Sequence, residues 1–148
     1  MEWSLHLLLG GQMKPSPGYR PRLRLVSMDI ERSSNGDLYS IALEGIGQRR
    51  VIMLGPKNDS DASLDFELDY CDSRPEMLEK LNAWLEQYDP DAIIGWNLVQ
   101  FDLRVLQQHA DRYRVPLRLG RDGNAIEWRE HRQHSRLQPS ASRRFSSA

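Results

Sequence analysis

The stretch Leu23-Arg-Leu-Val-Ser-Met-Asp-Ile-Glu31 decides how the rest of the chain is interpreted. It has the composition of a strand, and successive side chains of a strand point to opposite faces. Asp29 and Glu31 therefore share one face, opposite the apolar side chains of Val26, Met28 and Ile30. Because a strand rises about 3.3 Å per residue, the two acids would lie roughly 6.6 Å apart, within reach of one cation or a metal pair.

By itself this acidic triplet favours a solvated strand end, since roughly three such triplets are expected by chance at this acid content. A third carboxylate in a matching context, Asp102, changes the interpretation. Two or three carboxylates held close together and partly buried are costly unless a cation joins them. The alternatives are therefore a solvated strand end and a cation site.

Length and composition indicate one soluble globular domain, with 148 residues, 39% hydrophobic and 28% charged. The net charge of −1 argues against binding nucleic acid by bulk electrostatics. The single cysteine, Cys71, fits a reducing compartment, and the apolar run at residues 5–9 is too short to span a membrane. We expect a cytoplasmic protein with no membrane contact.

The chain divides into three predicted segments. Residues 1–20 form an N-terminal extension, residues 21–131 form an α/β domain, and residues 132–148, rich in Ser, Arg and Gln, form a disordered tail. The Asn35-Gly36 pair predicts a hairpin between the first strand and a second one at 38–43, and glycines near residue 46 turn the chain into a third at 49–54. This predicts a three-stranded antiparallel meander.

The second half of the predicted domain supplies helices and one more strand. Residues 57–72 are strongly acidic and predict a solvated loop that lacks the spacing of a calcium site. A capping box at Ser73 opens a helix that ends at Asp89-Pro90, and the apolar run 92–96 predicts a buried strand parallel to the first. Asn97 is expected to cap a second helix, which places Asp102 at the edge of its apolar stripe, facing the sheet.

Asp29, Glu31 and Asp102 are thus predicted to meet at the carboxyl ends of neighbouring strands. Three oxygen donors suit Mg²⁺ or Mn²⁺, and such a cluster supports phosphoryl transfer by a two-metal mechanism. The sequence has no glycine-rich phosphate loop and no Gly-x-Ser-x-Gly motif that would indicate a different chemistry. His131 and His134 have metal-compatible spacing, but no partner histidine or cysteine lies nearby in the sequence, so we expect no metal there.

Two motifs in these elements resemble a known family. Ser27-Met-Asp-Ile-Glu31 is similar to the first exonuclease motif of family B DNA polymerases, and Asn97-Leu-Val-Gln-Phe-Asp102 is similar to the second. The surrounding segments 89–97 and 115–122 resemble bacterial members, and the likeness runs from about Lys14 to His131. It implies a ribonuclease H-like mixed sheet with flanking helices and membership of the DEDD group of 3′→5′ exonucleases.

The resemblance also implies a role for each matched residue. Asp29 would bridge two Mg²⁺ or Mn²⁺ ions, Glu31 would bind one of them and orient the attacking water, and Asp102 would hold the other. Asn97 and Phe101 would contact the terminal nucleotides of a single-stranded DNA 3′ end. The implied setting is proofreading during DNA replication and repair, with a sliding clamp reached through a polymerase portion that this sequence lacks.

The sequence departs from the family pattern in two places. A third motif, with a tyrosine and a fourth aspartate, does not follow Asp102, because Tyr113 and Asp122 have the wrong spacing. The usual threonine after the first motif is Arg32, which puts a cation beside the acids. We therefore expect a truncated exonuclease domain that is weak or inactive alone.

Two alternatives to an enzyme remain open. One is a non-catalytic remnant that binds nucleic acid, since residues 103–148 carry 10 basic and 4 acidic side chains, including Arg112, Arg114, Arg118 and Arg121. The other is a decayed gene fragment without function.

Overall fold

The computed structural model describes the backbone of residues 14–57, 63–131, 136–140 and 144–147, with side chains up to residue 128. Its elements in chain order are β1 (Leu25–Arg32), β2 (Leu38–Gly45), β3 (Gln48–Leu54), β4 (Glu67–Cys71), α1 (Arg74–Tyr88), β5 (Ala92–Gly95), a π-helical turn (Leu98–Asp102), α2 (Leu103–Tyr113), β6 (Glu127–His131), β7 (Arg136–Ser140) and β8 (Arg144–Ser147). None of the helices in these ranges is long and apolar enough to cross a membrane.

Six strands form the main sheet in the order β4-β3-β2-β1-β5-β8, and β6 and β7 form a separate hairpin. Strands β1, β2 and β3 are antiparallel neighbours, whereas β5 runs parallel to β1. The predicted meander and its added parallel strand are therefore confirmed, as is the α/β fold class. The hairpin at Asn35-Gly36 is also confirmed, with Gly36 at a φ of 84°, a conformation that glycine adopts without strain.

The helices cover one face of the sheet. Val26, Met28 and Ile30 of β1 are buried on that face, as the alternation predicts. Helix α1 begins at the predicted cap, where the Ser73 hydroxyl accepts a hydrogen bond from the Glu76 amide (3.4 Å). It buries a set of apolar side chains against the sheet: Met77, Leu78, Leu81, Trp84 and Leu85. The core thus forms between this face of the sheet and the helices.

The acidic segment 57–72 is not entirely a loop, because its last part forms β4 beside β3. The reason is charge complementarity across long sequence distances. Glu67 forms an ion pair with Arg50, and Asp69 lies 2.5 Å from the Lys80 ammonium of α1. Acids that look solvated in the sequence therefore face cations in the fold. Residues 58–62 of this segment lie outside the described residues.

The predicted disordered tail also needs correction. Within residues 132–148 the backbone forms β7, which pairs with β6, and β8, which adds to β5 in parallel. Backbone hydrogen bonding at a strand edge does not require apolar side chains, so a polar composition does not exclude a strand. Residues 1–13, His134 and the side chain of His131 lie outside the described residues. The segment boundaries at residues 20 and 131 stay predictions.

One close backbone approach joins β5 to β1. A Cβ atom added at Gly95 would lie 2.5 Å from the Met28 carbonyl oxygen, well inside van der Waals contact. Because the obstacle is backbone rather than a flexible side chain, neither strand can yield without moving its neighbours. Glycine is therefore required for β5 to reach the part of β1 next to Asp29.

We predict that Gly95→Ala lowers the free energy of unfolding by roughly 1–3 kcal/mol, the usual cost of overpacking. The measurement is chemical denaturation followed by circular dichroism. Gly18→Ala is the matched control, since a Cβ there would meet nothing within 4 Å. If the two substitutions lowered the free energy of unfolding equally, the close contact with the Met28 carbonyl would not be the cause of the destabilisation.

Candidate active site

The two acids of β1 lie on the face of the sheet opposite the helices. Asp29 and Glu31 are exposed, and their neighbours on β2 in the register are Ala42 and Ser40. A shallow cavity of about 190 Å³ opens beside Asp29 on this face. The predicted sharing of one face by the two acids is therefore confirmed.

The second motif begins with a π-helical turn rather than with a plain α-helix. The Leu103 amide donates to the Leu98 carbonyl, five residues back, so the turn is one residue wider than an α-helical turn. Asn97 stands at the N-cap position of this turn, as predicted, but it has a left-handed backbone (φ of 52°) and its side chain makes no capping hydrogen bond. Asparagine tolerates this conformation better than most residues, which explains its place here.

Asp102, the last residue of this turn, lies deep in the structure. Its side chain is 2% exposed, and its Oδ2 atom has no hydrogen-bond partner among the described residues. Burial, and to a smaller extent the negative charges of Asp29 and Glu31, together raise the pKa of the Asp102 carboxyl to about 6. Asp29 and Glu31 are therefore close enough to Asp102 to influence its carboxylate electrostatically.

The three acids do not, however, form a finished metal site. In the described part of the chain, no group of three or more His, Cys, Asp or Glu side chains is arranged to hold a metal ion. Electrostatic coupling at longer range is compatible with this result, because charges interact well beyond ligand distances. The structure thus brings the three acids near each other without closing them into a coordination sphere.

Asp29, Glu31 and Asp102 differ from most other acids that the structure describes in having no cationic partner there. Many described acids form ion pairs, among them Asp37, Glu44, Asp65, Glu67, Asp69, Glu79, Asp89 and Asp91. Within the same described ranges, Asp29, Glu31 and Asp102 take part in no ion pair. An unpaired, partly buried set of carboxylates is unfavourable by itself and gains free energy when a cation binds.

An arginine and an aromatic ring lie next to this region. The Arg32 guanidinium carbon is 4.5 Å from the centroid of the Phe101 ring, which is cation–π geometry. The sequence indicates Arg32 as a cation beside the motif, but its contact with Phe101 was not predicted. The alternation of side chains along β1 could have indicated this contact, because it places Arg32 on the same face as Ile30, towards the helices.

Three of the five arginines after Asp102 whose side chains the structure describes pair with acids, whereas Arg104 and Arg114 form no ion pair there. Arg112 lies 2.9 Å from Asp37, Arg118 lies 3.3 Å from Glu79, and Arg121 lies 2.6 Å from both Asp89 and Asp91. These guanidinium groups are therefore not free to track a phosphate backbone. The basic count of this segment by itself does not define a nucleic-acid surface.

The sheet order and the flanking helices define a mixed α/β domain that is consistent with a ribonuclease H-like fold. Comparison with known families agrees: residues 11–144 match the family described as DNA polymerase family B, exonuclease domain. The chain therefore belongs to this family.

Individual relatives give the same result. The chain is 64% identical to DNA polymerase II of Escherichia coli (strain K12) over 124 residues, which is 84% of this chain and 16% of that protein. It is 27% identical to a DNA polymerase of Archaeoglobus fulgidus over 109 residues, which is 74% of this chain and 13% of that protein. The chain thus spans about a sixth or less of the length of these two relatives.

A solved structure supports the fold. The family B DNA polymerase from the hyperthermophilic archaeon Pyrobaculum calidifontis superposes with a TM-score of 0.62 at 20% identity, covering 89% of this chain and 16% of that one. At this identity the likeness concerns the fold alone.

We predict that Asp102→Asn stabilises the protein at neutral pH. Between the ordinary aspartate pKa of about 4 and the raised value of about 6, the folded protein holds a proton that the unfolded chain releases. The free energy of unfolding of the parent protein therefore falls as pH rises through this window. The neutral amide of the variant has no such dependence. The free energy of unfolding of the variant minus that of the parent should therefore be roughly 2 kcal/mol larger at pH 7.5 than at pH 4.

Urea denaturation at the two pH values measures this difference. Asp111→Asn is the matched control, because Asp111 is an exposed acid on α2. If the free energies of unfolding of variant and parent differed by the same amount at both pH values, the assignment of a raised pKa to Asp102 would be contradicted.

Proposed function

We propose that the chain forms part of a metal-dependent 3′→5′ exonuclease site, which hydrolyses the terminal phosphodiester of single-stranded DNA as in proofreading. The observation that carries this proposal is Asp102, a buried carboxylate with an oxygen that has no hydrogen-bond partner among the described residues and with a pKa raised to about 6 by burial and by Asp29 and Glu31. Family membership supports the reaction class.

The donor set suits a hard divalent cation. Asp29, Glu31 and Asp102 offer carboxylate oxygens, which Mg²⁺ and Mn²⁺ prefer together with water, and no described cation competes for them. These three residues would hold the ions. Bound ions of this kind supply a water-derived nucleophile and stabilise the leaving oxygen.

The chain's own residues contribute charge and position. With a pKa of about 6, Asp102 is mostly ionised at neutral pH and becomes protonated in mild acid, so its capacity to bind a cation should fall below pH 6. Asn97 is exposed at the start of the π-helical turn, where its amide can form hydrogen bonds with a nucleotide. Phe101, partly buried against the core, contributes an aromatic ring beside Asp102.

We further propose that this activity is weak in the chain by itself. The third exonuclease motif is not recognisable in the sequence, and in the described residues the three acids do not form a group that could hold an ion as they stand. Contact with a sliding clamp would require parts of the polymerase relatives that this chain does not match. The proposed activity is thus that of an incomplete exonuclease centre.

The same arrangement supports a second candidate, non-catalytic binding of a single-stranded 3′ end at this surface. It is favoured by the lack of a closed metal group within the described ranges. It would use the edge around Arg32 and Phe101 rather than the paired arginines of the last third. A decayed gene fragment without function is a further alternative, which the absence of both cleavage and binding would support.

We predict that the chain releases nucleotides from a 3′-labelled single strand in Mn²⁺ and that Asp29→Ala reduces the rate on the order of a hundredfold. A loss of this size is typical when one group that stabilises developing charge is removed. Gel analysis of the labelled products over time measures the rate.

The matched control is Asp111→Ala, an exposed aspartate whose Oδ1 accepts a hydrogen bond from Gln107. It should cleave as the parent does. Cleavage that persists in Asp29→Ala would exclude this site as its source, whereas metal-independent binding without any cleavage would support the second candidate.

A further inference from the structure

Arg32 lies over the face of the Phe101 ring, which the family resemblance would place in contact with the substrate. Its guanidinium carbon lies 4.5 Å from the Phe101 centroid, close enough to cover the ring. A nucleobase could therefore stack directly on Phe101 only after displacing a cation from it. In the family pattern a threonine usually follows the first motif, so this contact of Arg32 distinguishes the chain from that pattern.

The backbone accounts for the position of Arg32. The β1–β2 register shifts between Glu31 and Arg32, so that Arg32 lies opposite Leu38 at the end of the ladder. The pairing skips Tyr39, so the extra residue lies in β2 rather than in β1. Strand alternation places Arg32 on the helix-facing side, opposite Glu31, and so towards the π-helical turn that carries Phe101.

The charge of Arg32 is not neutralised by the acids next to it in sequence. No acid within the described ranges comes within ion-pair distance of its guanidinium, whereas Arg49, Arg50 and Arg112 all pair with carboxylates. Arg32 is also exposed. It is thus a solvent-accessible cation held in place by an aromatic ring.

We propose that Arg32, supported by Phe101, is the group on which the terminal nucleotide of a single-stranded DNA 3′ end rests. Guanidinium planes stack on nucleobases, and their N–H edges bind phosphate oxygens, so one arginine can engage both parts of a nucleotide. Phe101 then orients the guanidinium instead of contacting the base. The inference takes its ligand from the proposed function but does not require hydrolysis.

The test is binding of a 5′-fluorescein oligothymidylate, followed by fluorescence anisotropy in EDTA so that no cleavage occurs. Arg32→Ala should weaken binding at low salt roughly three- to tenfold, the range expected from losing one cationic stacking contact. It should also lower the salt-dependence slope by about 0.7, the value for one phosphate contact on a single strand. Arg32→Lys should restore the slope without restoring the full affinity.

Two further variants separate this mechanism from simple stacking on Phe101. Arg22→Ala, which removes an exposed cation from the segment before the opposite end of β1, should bind as the parent does. Phe101→Leu keeps an apolar side chain at that position but removes the ring. Because Arg32 acts through this ring, its substitution should have much less effect in the Phe101→Leu background, a coupling that a double-mutant cycle measures.

The outcomes are distinct, and thermal melts by circular dichroism show whether each variant folds. Weakened binding by Arg32→Ala with coupling to Phe101 supports the inference even if no variant cleaves DNA, in which case the exonuclease proposal alone fails. Unchanged or tighter binding by folded Arg32→Ala overturns the inference, even where cleavage depends on Asp29. Failure of the parent chain to bind the oligonucleotide at low salt also overturns it.

Discussion

The parallel pairing of β5 with β1 is the constraint on which the site depends. It brings the strand that leads into the π-helical turn alongside the strand that carries the acids, and it requires glycine at position 95 because the Met28 carbonyl leaves no room for a Cβ. A wider spacing would move the turn, and Asp102 with it, away from Asp29 and Glu31. The close packing of the β1 and β5 backbones thus determines how strongly the charges of Asp29 and Glu31 act on Asp102.

Features encoded by neighbouring residues could be predicted from the sequence. The alternation in β1, the Asn35-Gly36 hairpin and the Ser73 cap all act within a few residues, and the structure confirms each of them. Features that depend on distant partners could not. The acidic β4 is paired by cations of β3 and α1, and β8 adds to a sheet edge whose availability the composition of the tail does not reveal.

In the candidate site, too, some features could be predicted from neighbouring residues and others could not. The sequence identifies the acids and their faces, yet it assumes 3.6 residues per turn for the helix after Asn97, and the π-helical turn violates that assumption. Asp102, at the end of this turn, is almost fully buried, and among the described residues its Oδ2 atom has no hydrogen-bond partner. The contact of Arg32 with Phe101 escaped prediction since it joins two elements about 70 residues apart.

The arrangement of charge explains how a cation can stand beside an acidic motif without neutralising it. Had Arg32 paired with Glu31, the acids would lose much of the repulsion that makes a divalent ion favourable. Consecutive residues of a strand point to opposite faces, so the pairing is prevented by the backbone rather than by the choice of residues. Arg32 is directed instead to Phe101, so the negative charges of Asp29 and Glu31 stay unbalanced and add to the burial that raises the pKa of Asp102. The alternation that buries the core side chains of β1 therefore also separates the positive charge of Arg32 from the negative charge of Glu31.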